Sequence, residues 1–244
     1  DQPRSRGLGD VYKRQGVFGG SLYFFTENTA LGITQASNVA FIICTAPLLT
    51  TILSLLFYKS EKATKGLIYG SLLALIGVGL VVFNGSVVLK LSPVGDLLTL
   101  LAALSWAFYS LVIKRMTGRY PTVFITRKIF FYGVLTILPA FLIHPWNFDI
   151  VRLLEPAILF NLLFLGVLAS LICFVVWNVV LKQLGTIRAS NYIYLNPLFT
   201  LVGSAFLLGE QLTIVALMGA VLILGGVYWL SLIHISEPTR PRLI

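Results

Sequence analysis

The sequence predicts an all-α polytopic membrane protein built from inverted five-helix repeats, with eight transmembrane helices present of an expected ten. Three observations carry that reading. Mean hydropathy is +0.91 and only 11% of residues are charged, far from the composition of soluble domains. Two apolar stretches, one in each half, share the same polar punctuation. The basic residues fall almost entirely on one side of the expected helices.

The ends of the chain are set aside first. Residue i and residue 245 − i are encodable by reverse-complementary codons, from Gln15 (CAG) with Leu230 (CTG) to Asp1 (GAT) with Ile244 (ATC). The relation holds for fifteen successive pairs and stops at Gly16 with Trp229. Chance does not give such a run. Segments 1–15 and 230–244 therefore read as artefactual flanks, similar to translated sequencing-adaptor DNA, and they are excluded from fold reasoning. The expectation is that genuine sequence runs from Gly16 to Trp229 and lacks natural N-terminal sequence.

A bilayer core of ~30 Å needs ~20 apolar residues per helix. On that measure the spans are expected near 16–32, 37–58, 66–85, 94–114, 123–144, 157–181, 189–208 and 212–229. Breaks such as Lys59 to Lys65, Asn84 to Pro93, Arg115 to Pro121 and Pro145 to Pro156 separate them. Short connections make neighbouring helices antiparallel.

Span one carries Glu27, within Tyr23-x-x-Thr26-Glu27-Asn28-Thr29. A charged residue at membrane depth costs ~2.5–3.5 kcal/mol on insertion scales. Glu27 either faces the bundle interior, as a proton-coupling or substrate-amine site, or lies at the outer interface. Span two carries Ala36-Ser37-Asn38 and then Pro47, and span seven carries Ala189-Ser190-Asn191 and then Pro197. Each proline removes a backbone donor and frees carbonyls near Ile43 and Ile193, as a packing kink or as a hinge beside a cavity. Glu61, Thr64, Gly70 and Gly77 repeat with identical spacing as Glu210, Thr213, Gly219 and Gly226, across span three and span eight. The glutamates are expected to cap the following helices. The glycines suit close packing, and Gly66-x-x-x-Gly70 offers a homodimer surface.

Span four places Trp106, Tyr109 and Ser110 on one face beside Ser105, and span six does the same with Ser170, Cys173 and Trp177. Span five opens with Arg127-Lys128, either headgroup anchors or partners for a substrate anion, Lys128 being the deeper. Span seven adds Asn191, Tyr192 and Asn196. Aromatic boxes with a few polar groups suit small-molecule recognition, while the same residues also serve as helix–helix glue. The expected cavity residues are therefore Glu27, Trp106, Tyr109, Lys128, Asn191 and Tyr192, with Pro47 and Pro197 as hinges.

With span one running from side A to side B, side A receives Lys59, Lys62, Lys65, Lys114, Arg115, Arg119, Arg127, Lys128, Lys182 and Arg188. Side B receives only Lys90 and Arg152. Side A, and with it the C-terminus, is expected to be cytoplasmic. Spans two and seven lie an odd number of helices apart, so the two copies cross in opposite directions. If each repeat has five helices, residues 16–90 are the last three helices of the first repeat and 91–229 the whole second repeat.

The residues Ala36-Ser37-Asn38 leading to Pro47, Glu61-Lys62-x-Thr64 before a Gly-rich helix, Ala189-Ser190-Asn191 leading to Pro197, and Gly209-Glu210-Gln211-Leu212-Thr213 resemble the EamA family of the drug/metabolite transporter superfamily. The resemblance covers Gly16–Trp229. It implies two five-helix inverted repeats and secondary transport of small metabolites or amphipathic compounds, by export or sometimes uptake, across the plasma membrane. The departures are the absent first two helices and a second Ser-Asn to Pro gap three residues shorter.

Other functions are constrained by the same residues. A nucleotide-sugar or sugar-phosphate antiporter needs more intramembrane cations than Lys128 and Arg127. An intramembrane enzyme needs paired His, Asp or Ser at depth, and between the flanks the one histidine is His144 at a helix end. A non-transporting membrane protein is disfavoured by the repeat. Cys44 and Cys173 have no metal or disulfide spacing and read as packing residues. No cofactor is expected, and a basic excess in so apolar a chain reads as topology rather than nucleic-acid binding. The expected partners are a small-molecule substrate and membrane lipids.

Overall fold

The computed structural model describes residues 15–58, 64–83, 92–114, 116, 120–140, 149–207 and 212–233. Among them there is no strand. In chain order the helices are α1 (Leu22–Leu31, entered through the π-helical turn Val17–Ser21), α2 (Ala36–Ile43), α3 (Ala46–Phe57), α4 (Lys65–Phe83) and α5 (Pro93–Lys114). There follow α6 (Thr122–Ile137) and the short α7 (Ile150–Leu153). Then come α8 (Pro156–Leu184, with a π-helical stretch Phe164–Ile172), α9 (Thr186–Asn191), α10 (Asn196–Leu207) and α11 (Ile214–Ile233). Five described stretches are long and apolar enough to cross a bilayer: Ala36–Phe57, α4, α5, α8 and Ile214–Leu232. The expected spans one, five and seven are also helical, as α1, α6 and the interrupted pair α9–α10.

The repeat is visible in the helix caps. Thr64 Oγ1 accepts from the Leu67 N–H at 3.3 Å, and Thr213 Oγ1 accepts from the Ala216 N–H at 3.1 Å. Each threonine satisfies one of the orphan donors in the first turn of α4 or α11. The structure thus adds a threonine cap at each of these helix starts. Glu61 and Glu210 lie outside the described residues, as do Lys59, Lys62, Lys90, Arg115, Arg119 and His144.

The chain divides into two compact units. One comprises the chain up to Phe25 with Phe108–Thr186, and the other Thr26–Ala107 with the chain from Ile187 onward. Each unit thus draws helices from both halves of the chain.

In the first unit the Val17–Ser21 turn packs on α6 through small residues. Gly16 and Gly20 lie against Tyr132 and Gly133, and Ser21 Oγ meets Thr136 Oγ1 at 2.8 Å. Phe174 of α8 sits among the rings of Phe24, Tyr109 and Phe130, with centroids 5.2–6.2 Å away. The N-terminal part of α8, from Pro156 to Ile172, has no buried residue.

In the second unit α4 and α11 pack along their lengths. A Cβ on Gly70 would meet the Gly226 carbonyl at 3.3 Å and one on Gly226 the Gly70 carbonyl at 2.8 Å. Gly77 and Gly219 approach just as closely. Pairing 70 with 226 and 77 with 219 makes the two helices antiparallel. It also maps onto itself when each repeat is exchanged for the other, since Gly70 corresponds to Gly219 and Gly77 to Gly226. Two antiparallel helices are related by an axis across them, in the membrane plane. Gly70 is therefore engaged inside the chain, against α11.

The core of this unit also holds Cys44, Leu67, Ala74, Val78, Ile187, Tyr194, Ile223 and Leu230. Leu230 lies beyond the expected boundary at Trp229, and α11 runs on to Ile233. At the other end Gln15 is fully buried, and neither amide atom has a hydrogen-bond partner among the described residues.

Candidate functional site

Two broken helices define the candidate site. The first break falls at Cys44-Thr45, between α2 and α3. The Ile42 carbonyl accepts from the Thr45 N–H at 2.9 Å and from Thr45 Oγ1 at 2.6 Å, so a side chain supplies part of what the interrupted ladder lacks. Pro47 is the second residue of α3, where a missing N–H is tolerated, and it cannot donate back to Ile43. The second break is the 3-10 turn Tyr192–Leu195 between α9 and α10. Pro197 is likewise the second residue of its helix. The prolines expected as hinges thus sit in the same register at equivalent interruptions.

The breaks are neighbours within the second unit: α3 packs on the Tyr192–Leu195 turn, and that turn packs on α4 and α11. Around them the interior is polar. Thr50 Oγ1, Ser54 Oγ, Ser190 Oγ and Asn191 Oδ1 are buried with no hydrogen-bond partner among the described residues, and the buried hydroxyls of Ser71 and Tyr194 interact with each other. Thr50 and Ser54 are one turn apart on the buried face of α3. Such a surface of hydroxyl and amide oxygens beside irregular backbone suits a small polar solute or water at membrane depth.

The first unit carries a second polar group, fully bonded. Tyr109 Oη of α5 donates to Asn178 Oδ1 of α8 at 2.8 Å, and Asn178 Nδ2 donates to Thr126 Oγ1 of α6 at 2.9 Å. Thr126 Oγ1 in turn donates to the Thr122 carbonyl at 3.0 Å. Tyr109 and Asn178 are both fully buried. The chain ties three helices together and fixes the Tyr109 ring, against which Gly19 also packs.

The six residues expected to line a cavity divide between the units. Glu27, Trp106, Asn191 and Tyr192 belong to the second, Tyr109 and Lys128 to the first. Glu27 and Trp106 are half-buried, Asn191 is buried, and Tyr192 is 46% exposed. Within the turn it is Tyr194 that enters the core, at 0% exposure. Lys128 is half-buried, its Nζ 5.8 Å from the Phe124 ring centroid. It lies about 200° around α6 from Thr126, off the Tyr109 network.

Other expectations change in detail. The buried face of α8 is Phe174, Asn178 and Leu181, not the Ser170, Cys173 and Trp177 face. Cys44 packs in the core as expected, but Cys173 is exposed. Asn196 is exposed as well. Asn178 and Tyr194 were not singled out from sequence. The only signal for Asn178 is an amide inside a run of apolar residues.

Known proteins give the context. The model of the EamA-like transporter family matches residues 6–83 and 93–232. An uncharacterized transporter of Archaeoglobus fulgidus is 27% identical over 216 residues, covering 86% of this chain and 72% of that protein. The uncharacterized transporter YdfC of Bacillus subtilis is 30% identical, with 87% and 68% covered. A protein of Escherichia coli named "probable amino-acid metabolite efflux pump" is 25% identical, with 82% and 69% covered. One crystal structure superposes with a TM-score of 0.76 at 20% identity over 91% of this chain and 77% of the other, a likeness of fold.

Proposed function

The chain belongs to the EamA-like transporter family, and from that membership we propose that it is a secondary transporter exporting small amino-acid-type metabolites across the cytoplasmic membrane by alternating access. That it is an integral membrane transporter follows from the family and from its apolar helices. The efflux name of its E. coli relative supports export and the substrate class.

The observation that carries the mechanism is the pair of interruptions before Pro47 and Pro197, one per repeat, side by side in one unit. Discontinuous helices in corresponding positions of two repeats are where transporters bind substrate. In this reading Asn191 and the buried hydroxyls hydrogen-bond the substrate's polar groups. Within the same unit Trp106 and Tyr192 supply aromatic contact, and Glu27 exchanges the coupling proton. Pro47 and Pro197 act as hinges. The distribution of lysine and arginine supports a cytoplasmic C-terminus.

The test uses everted membrane vesicles from cells expressing the chain, supplied with a proton gradient and a panel of radiolabelled amino acids. Accumulation of at least one compound, abolished by a protonophore, is the expected result. Absence of gradient-dependent accumulation across the panel would overturn the reading.

A further inference from the structure

A groove of about 440 Å³ opens between α6 and α8 in the first unit. Its walls are apolar, formed by Val123 and Phe130 on α6 and by Leu171 and Val175 on α8. Gly166 leaves one side of it bare, since a Cβ there would meet nothing within 4 Å. Thr126 also reaches the groove, but its hydroxyl is already engaged with Asn178 and Thr122. Among the described residues the one cation in the lining is Arg127, which is exposed and stacks 5.4 Å from the Phe124 ring centroid.

We propose that this groove is a specific site for an anionic phospholipid, with an acyl chain lying between α6 and α8 and the headgroup phosphate on the Arg127 guanidinium. Lipid hydrocarbon covers any apolar helix face in a bilayer, and the N-terminal part of α8 buries no residue. What distinguishes this place is concavity combined with charge. A bare helix face offers a chain one wall, whereas Phe130, Leu171 and Val175 enclose it. Arg127 lies in the second turn of α6, near the helix end. From there a long side chain reaches headgroup depth while its stem stays in hydrocarbon. A guanidinium presents a planar fork of donors that matches phosphate oxygens. A zwitterionic headgroup sets its own cation against that interaction, so the site prefers a net negative lipid.

The test titrates the purified chain, in neutral detergent, with phosphatidylglycerol, with phosphatidylcholine of the same acyl chains, and with inorganic phosphate. Apparent affinity is read from the shift in melting temperature. Phosphatidylglycerol is expected to bind more tightly than phosphatidylcholine, and phosphate alone to give no shift. Arg127→Gln should weaken phosphatidylglycerol about fivefold, the effect of one basic residue near a membrane surface, and leave phosphatidylcholine unchanged. Gly166→Leu fills the groove and should weaken both lipids without moving the lipid-free melting temperature. Equal binding of the two lipids, an unchanged preference in Arg127→Gln, or full lipid binding by Gly166→Leu overturns the proposal. An equal shift with inorganic phosphate overturns it by assigning Arg127 to a soluble anion. A dimer that dissociates in Gly166→Leu overturns it by assigning the groove to a second copy. Should Gly166→Leu fail to purify, the exposed Arg127 decides alone.

Discussion

A Cβ on Gly77 would stand 2.6 Å from the Gly219 carbonyl oxygen, and a Cβ on Gly219 would stand 2.7 Å from the carbonyl oxygen of Gly77. The two glycines therefore meet backbone to backbone, and neither position has room for a side chain. Without a hydrophobic drive between helices in lipid, association rests on close packing of this kind.

Gly77→Ala or Gly219→Ala should accordingly destabilise the chain by roughly 1–3 kcal/mol, the cost of overpacking. Gly225→Ala, on the same helix but with nothing within 4 Å of its Cβ, should be close to neutral. Thermal unfolding in detergent compares the three. Equal melting temperatures would show that the α4–α11 contact is looser than described.

Tyr109→Phe removes the donor to Asn178 Oδ1. The expected loss is about 1 kcal/mol, since single interhelical hydrogen bonds in membranes are modest and an orphaned buried acceptor adds to the cost. Thr126→Val removes the other partner of Asn178. The double variant should be non-additive, because both changes strip the same amide. Strict additivity in a double-mutant cycle would mean that the three groups do not act as one network.

Gln15→Leu should stabilise the chain. Its amide is buried with both polar atoms unbonded among the described residues, an arrangement that costs roughly 1–3 kcal/mol against an apolar side chain. A melting temperature unchanged or lowered in Gln15→Leu would show that the amide has partners in the membrane-embedded protein.

Glu27→Gln keeps shape and hydrogen-bonding capacity but removes titration. If Glu27 carries the coupling proton, substrate flux in vesicles should lose its dependence on the proton gradient while the amount of folded protein stays normal. Wild-type gradient dependence in this variant would make Glu27 structural.

The helical class and the antiparallel sense of the α4–α11 pair were readable from the residues alone. Hydropathy sets the class, and the spacing of Glu, Thr and two glycines recurs because each copy builds the same cap and the same glycine face. What was not readable is rotation about each helix axis. In α8 every side is apolar, so periodicity gives no preferred face, and the buried face falls on Phe174, Asn178 and Leu181 rather than one residue away. In the Tyr192–Leu195 turn the 3-10 geometry turns Tyr194 inward and Tyr192 outward, a reversal that an α-helical reading of the span cannot foresee.

The glycine contacts also bear on stiffness. Gly70 and Gly77 are seven residues apart, which at 1.5 Å per residue is about 10 Å along α4, and both points of α4 rest directly on the backbone of α11. A beam clamped at two such points resists sliding and tilting, because either movement drives main-chain atoms together. The α4–α11 pair is therefore the stiff post of its unit. The compliant places are beside it, at Cys44-Thr45 and at Tyr192–Leu195, where the ladder of backbone hydrogen bonds is already interrupted. Any bending load on this unit is taken up there, so the half-helices α2 and α9 swing while the post keeps its length and direction.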